Sequence, residues 1–114
     1  MAEKCVFCKI RDREIESTIL FRNEYCFVIK DIAPIAPTHL LVIPIEHITN
    51  LDYINQKTQT IMAVMFKVAT DMAKTEGINQ SGYRLVINQG NDSGQEVPHL
   101  HLHLLGGRTM GSVA

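Results

Sequence analysis

Three histidines alternate with three leucines in His99-Leu100-His101-Leu102-His103-Leu104. In a strand, successive side chains leave on opposite faces, so this segment presents three imidazoles, roughly 6 to 7 Å apart, on one side and three leucines on the other. A helix would scatter the same histidines around its circumference. An ordinary solvated face would use Lys, Thr or Glu, whereas imidazole titrates near neutrality and binds metals. Two chemistries suit the pattern. One is metal ligation, as in His-x-His pairs; the other is nucleophilic catalysis by one imidazole that its neighbours orient. The remaining histidines, His39 and His47, lie in or just after one apolar run, and none falls between 57 and 76.

The segment upstream bears on that choice. Asn88-Gln89-Gly90-Asn91-Asp92-Ser93-Gly94-Gln95 carries two glycines whose backbone N–H groups can cradle a phosphate. A nucleophilic imidazole beside an anion cradle is what substitution at phosphorus requires. A second constellation is Cys5-Val6-Phe7-Cys8, a spacing that commonly supplies two of the four ligands of tetrahedral zinc. No second Cys-x-x-Cys follows, which excludes a zinc ribbon. Two free thiols beside Phe7 is the other reading, and a thioredoxin-like pair lacks the βαβ unit it needs. Cys26 sits in an apolar run and reads as core.

The elements that position these residues follow from periodicity. Residues 6 to 15 suggest a short helical turn. Ile19-Leu20-Phe21, a polar Arg22-Asn23-Glu24 and Tyr25-Cys26-Phe27-Val28-Ile29 predict a hairpin. Pro34 and Pro37 break the chain before a buried strand from His39 to Ile43, closed by Pro44. The one long helix runs from Asn55 to Glu76, with Ile61, Val64, Met65, Val68 and Met72 at helical spacing, Asn55 as its cap and Gly77 ending it. Its methionines read as core packing against a sheet. Strands over Tyr83 to Asn88 and His99 to Leu105 complete the set. The absence of a βαβ rhythm predicts an α+β fold with an antiparallel sheet.

Composition narrows the class. The chain has 114 residues, which is one domain over 1–114, and 46% hydrophobic residues give it a core. A net charge of -1 gives no drive toward nucleic acid or acidic membrane. The start lacks a secretory signal, no apolar run is long enough to span a bilayer, and three cysteines make a poor disulfide framework. The expectation is a small soluble protein of the cytoplasm with reduced thiols.

Gly94-Gln95-Glu96-Val97 followed by His99-Leu-His101-Leu-His103-Leu-Leu resembles the histidine-triad (HIT) family. Asp31-Ile32-Ala33-Pro34-Ile35-Ala36-Pro37-Thr38-His39 and Leu105-Gly106-Gly107-Arg108 are similar to its nucleotide-binding, phosphoramidase branch. The dinucleoside polyphosphate hydrolase branch usually has glutamine two residues after the last histidine; here that position is Leu105. The resemblance implies a five-stranded antiparallel sheet with a long helix, continued across a homodimer into ten strands. It implies purine nucleotide substrates, such as AMP or GMP phosphoramidates and aminoacyl-adenylate-type compounds.

The resemblance also implies roles. His101 matches the nucleophile that attacks the α-phosphorus, and His103 and His39 match the histidines beside that phosphate. Asp31 and Ile32 match residues lining the ribose and base pocket; Asn88, Gly94, Gln95 and Glu96 match phosphate contacts. Position 96 is often serine in eukaryotic members, and a carboxylate there leaves only the backbone N–H of Glu96 suited to an anion. Eukaryotic members often end in a tryptophan-bearing tail, which this chain lacks. Many bacterial members pair an N-terminal Cys-x-x-Cys with two histidines on zinc, and the matching residues are Cys5, Cys8, His47 and His99. Hydrolysis of dinucleoside polyphosphates, nucleotide binding with little catalysis, and a metalloenzyme using the triad itself as ligands are the rival readings.

Overall fold

The computed structural model describes residues 5–113. Helix α1 (Val6–Arg11) leads into strands β1 (Ile19–Arg22), β2 (Cys26–Lys30) and β3 (Thr38–Pro44). Helix α2 (Gln56–Thr75) follows, then β4 (Tyr83–Val86) and β5 (Leu102–Gly106). The five strands form one antiparallel sheet in the order β1-β2-β3-β5-β4. No helix among the described residues is long and apolar enough to cross a membrane.

Local chemistry explains most boundaries. The Asn23 side chain accepts from the amides of Tyr25 and Cys26, which closes the β1–β2 turn. Asn55 and Thr58 exchange side-chain and backbone hydrogen bonds in a capping box, so α2 begins where its first free amides are satisfied. Gly77, at φ 75°, takes the left-handed conformation that ends the helix.

The sheet buries both faces. On one, Leu40, Val42, Leu100, Leu102 and Leu104 pack against Ile61, Met65, Val68, Ala69 and Met72 of α2. Val64, from the same predicted stripe, is partly buried at the edge of that cluster. On the other face, Phe7 and Ile10 of α1 cover Phe27, Ile29, Leu41 and Ile43. Period two in β3 therefore directs His39 to the α1 side, away from the long helix. Cys26 is fully buried in the helix-side core, and burial pushes its thiol up to about 11.

Two expected strand ends move. β5 begins at Leu102, not His99, so two histidines of the triad stand before the strand. Pro98 has no N–H to give a ladder, the His99 amide turns back to Val97 O, and the Leu100 amide is diverted to Ile48 O. The leucines still reach the α2 core, so the alternation of faces survives the loss of pairing. β4 correspondingly stops at Val86, opposite His103, because position 88 would pair with His101, which has left the sheet. The N-terminal helix is likewise shorter than expected and ends at Arg11.

Candidate functional site

The departure of residues 99–101 from the sheet sends the three histidines to two places. His99 is fully buried and turns toward the start of α1. Its Nδ1 lies 3.2 Å from Cys5 Sγ and 3.6 Å from Cys8 Sγ. His47 Nδ1, from the chain after β3, lies 3.4 Å and 3.1 Å from the same two sulfurs. All four candidate donor atoms fall within 4.8 Å of one another. His99 Nε2 donates to Pro44 O at 3.0 Å, which leaves the Nδ1 lone pair aimed at the sulfurs. Burial lowers its pKa to about 4, so the ring is neutral. A neutral imidazole, held through its far nitrogen by a carbonyl, is the form in which histidine ligates a metal. The donor set and its spacing fit a bound metal ion.

His101 and His103 turn the other way. His101 Nδ1 donates to the carbonyl of His99 at 2.7 Å, so its Nε2 carries the lone pair. Among the described residues no hydrogen bond reaches that Nε2. The ring packs edge-on against Phe7, with centroids 5.0 Å apart, and lies 5.0 Å from the ring of His103. Phe7 also meets His99, at 5.7 Å. It stands between the two cysteines, so the helix turn that brings sulfur to His99 also brings a ring against His101.

His103 pairs across the sheet with Leu41, which sets it diagonally beside His39. His39 Nε2 approaches His103 Nδ1 at 2.9 Å and Asp31 Oδ2 at 3.3 Å. The Ile35 amide donates to His39 Nδ1 at 3.2 Å. A ring nitrogen that accepts carries no proton, so the His39 proton is on Nε2 and is shared toward His103 and Asp31. His103 Nδ1 is then an acceptor, and its own proton sits on Nε2. Burial lowers the His39 pKa against the upward pull of Asp31, so the contact between them is a hydrogen bond and not an ion pair at neutral pH. Burial, with His101 and His39 adding to it, lowers His103 to about 4.

The remaining sequence candidates are placed unevenly. Asp31 borders His39, with its Oδ1 accepting from the Ala33 amide, and the side chain of Ile32 beside it is 100% exposed. The glycine amides of the polar loop, read from the sequence as able to cradle a phosphate, are engaged within the loop itself. Gly90 N–H donates to Gln95 Oε1 and Gly94 N–H donates to Asn91 O. The Gln95 side chain also donates to Val97 O, so it braces the loop. What the glycines contribute is backbone shape, at φ 85° and 84° on either side of a single 3-10 turn. Asn88 is half-buried and Glu96 is exposed. Sequence reasoning gave no role to Pro44 O, the Ile35 amide or the Phe7 ring. Only Phe7 had a signal, its place between the two cysteines.

Comparison with known proteins finds relatives along nearly the whole chain. A profile of the HIT domain matches residues 12–110. The chain is 42% identical over 111 residues to the purine nucleoside phosphoramidase of Escherichia coli K12, covering 97% of this chain and 93% of that protein. A HIT family hydrolase from Clostridium thermocellum superposes with a TM-score of 0.92 at 49% identity, covering 98% and 97% of the two chains. A histidine triad protein from Clostridium difficile superposes with a TM-score of 0.91 at 37% identity, over the whole of both chains.

Proposed function

The chain belongs to the HIT family, and from that premise we propose that it is a hydrolase of purine nucleoside phosphoramidates, cleaving the P–N bond at the α-phosphorus through a nucleotidyl-His101 intermediate. The observation that carries this reading is the hydrogen bond from His101 Nδ1 to His99 O at 2.7 Å, which fixes the lone pair on Nε2. An imidazole so held attacks phosphorus in line through Nε2, and the P–N bond of the substrate breaks as the amine takes a proton from solvent. Water then attacks the phosphorus of the adduct in line and gives up a proton to solvent. The P–Nε2 bond breaks with its electron pair returning to Nε2, and the nucleoside monophosphate leaves with His101 restored.

The neighbouring groups divide the rest of the work. His103, with its proton on Nε2, donates to a non-bridging phosphate oxygen, and charge developing there is stabilised without reorganisation. Asp31 takes the ribose hydroxyls, and the exposed apolar side of Ile32 lies against the purine. Asn88 and the amides of Gln95 and Glu96 close on the phosphate, in the backbone shape that Gly94 gives the loop. His39 acts one step back by fixing His103.

The metal we assign to Cys5, Cys8, His47 and His99 is zinc. Zinc–sulfur and zinc–nitrogen bonds of about 2.3 and 2.0–2.1 Å in a tetrahedron put sulfur and nitrogen roughly 3.5 Å apart, and the four distances here run from 3.1 to 3.6 Å. Four protein ligands leave no open position, so the metal supplies structure and no Lewis-acid chemistry. Free thiols at these positions suit a reducing compartment such as the cytoplasm. The assembly we propose is a homodimer in which an edge strand meets its twin and the sheet becomes ten strands.

The test is to quench the protein during turnover of adenosine 5′-phosphoramidate and weigh it. A protein heavier by one adenylyl group, with the label on His101, is expected. A wild-type protein that binds AMP but never carries the adduct would leave only a binding module. Faster turnover of a dinucleoside polyphosphate than of the phosphoramidate would instead place it in the other hydrolase branch.

A further inference from the structure

The polarity of the His39–His103 pair is decided outside both rings. The Ile35 amide donates to His39 Nδ1 at 3.2 Å, and together with Asp31 Oδ2, an acceptor 3.3 Å from Nε2, it puts the His39 proton on Nε2. Ile35 lies in a run from 31 to 37 without helix or strand, with its side chain exposed, so its peptide groups need another anchor. The anchor comes from beyond β5. Arg108 Nη2 donates to Ile35 O at 2.8 Å, while Nη1 donates to Thr109 O at 3.0 Å. The preceding residue presses the two segments together. Gly107 sits at φ 92°, and a Cβ there would lie 2.8 Å from Pro37 Cβ. The C-terminal turn is therefore seated on the loop that ends at His39.

We propose that Arg108 is a positioning residue for the phosphate-facing histidines: by holding the Ile35 carbonyl it keeps the Ile35 amide on His39 Nδ1, and so keeps His103 as an Nε2–H donor. The assignment of His103 to the phosphate rests on the function proposed above; the tautomers do not. If the Ile35 amide drifts away, His39 is free to carry its proton on Nδ1. Its Nε2 lone pair then faces Asp31 Oδ2 and His103 Nδ1, both acceptors. His103 relieves its half of the conflict by moving its own proton to Nδ1, which leaves a lone pair on Nε2; Asp31 still opposes the change, so the two tautomers coexist. A group that attracted a phosphate oxygen now repels it.

Long-range ¹H–¹⁵N spectra of the zinc-loaded, histidine-labelled full chain at about pH 8 read the tautomers directly. In the wild type, His39 and His103 should each show one protonated nitrogen, Nε2. In Arg108→Met both should become mixtures, with kcat on adenosine phosphoramidate down about tenfold, less than the loss of a whole transition-state donor. Arg108→Lys, which can still reach one carbonyl, should restore part of both. Ile35→Pro deletes the amide hydrogen and leaves Arg108 in place, so it should reproduce the tautomer mixture even where Arg108→Met folds poorly. The proposal is overturned if wild-type His39 carries its proton on Nδ1, or if both substitutions leave pure Nε2–H signatures. A wild type with the expected tautomers but no turnover would sink the hydrolase reading and leave the positioning role standing.

Discussion

His99 and His101 are joined through the backbone: the carbonyl of the residue that faces Cys5 and Cys8 accepts the Nδ1–H of the residue whose lone pair is thereby left on Nε2, at 2.7 Å. One residue therefore serves two sites. Its side chain belongs to the cysteine cluster and its main chain sets the tautomer of the proposed nucleophile. Whatever steadies the cluster also steadies the ring of His101.

Replacing His101 with Ala removes the nucleophile and leaves the polar loop and the leucine core untouched. Turnover should fall at least about a thousandfold, a barrier increase on the order of 4 kcal/mol, while AMP affinity changes far less. Configuration at phosphorus should be retained overall in the wild type, because two in-line displacements invert it twice. Inversion with a chiral phosphorus substrate would exclude the covalent route.

One zinc per chain should accompany protein purified gently without chelator, and a strong chelator should lower Tm, since a metal bound only by the folded state stabilises it. Cys8→Ser should bind the metal more weakly and melt lower. Elemental analysis finding no metal would remove the four-ligand assignment and leave the role of His101 intact.

Stability should decline in acid through the His39–His103 pair. His103 has a folded pKa of about 4 against an ordinary 6.5, and His39 is displaced in the same direction. Between those values the unfolded chain binds more protons than the folded one, so the penalty appears as pH falls through about 6.5 and is complete near 4. Asp31, which favours a charged His39, moderates it. Urea midpoints at pH 7.5 and 5 should therefore drop more for wild type than for His103→Gln, and parallel drops would remove this pair as the cause.

The dimer is tested by mass. Light scattering at micromolar concentration should return twice the 12.8 kDa of one chain. A monomer value would mean that the edge strands β1 and β4 are protected in some other way.

Packing between α1 and the site predicts a split effect for Phe7→Leu. Leucine keeps most of the apolar contact with Ile10 and Phe27 but loses the edge-on ring contact with His101. The expected result is a kcat several-fold lower with KM little changed, and a destabilisation within about 1.5 kcal/mol. Equal kcat in the two proteins would reduce Phe7 to core filling.

Much was legible in the order of residues, because short-range rules act on it directly. Helical spacing located α2 to within a residue at each end, and Asn55 and Gly77 mark those ends through their own side chain and backbone preference. Alternation put the leucines and histidines on opposite sides of one segment, and that held although pairing starts only at Leu102. The family followed from the triad, and with it the proposal of His101 as nucleophile and of Cys5, Cys8, His47 and His99 as candidate metal ligands. What the sequence alone determined, then, were the elements, their buried faces and the residue types available for chemistry. The tertiary structure decided how those residues are used. It sent His99 to Cys5 and Cys8, set His103 against His39, and turned the glycine amides of the loop inward. It also fixed each proton through main-chain groups at Pro44, His99 and Ile35. The physical reason is that every residue carries the same carbonyl and nearly every one the same amide. Which of them meets an imidazole depends on where distant segments come to rest, and side-chain order does not record it.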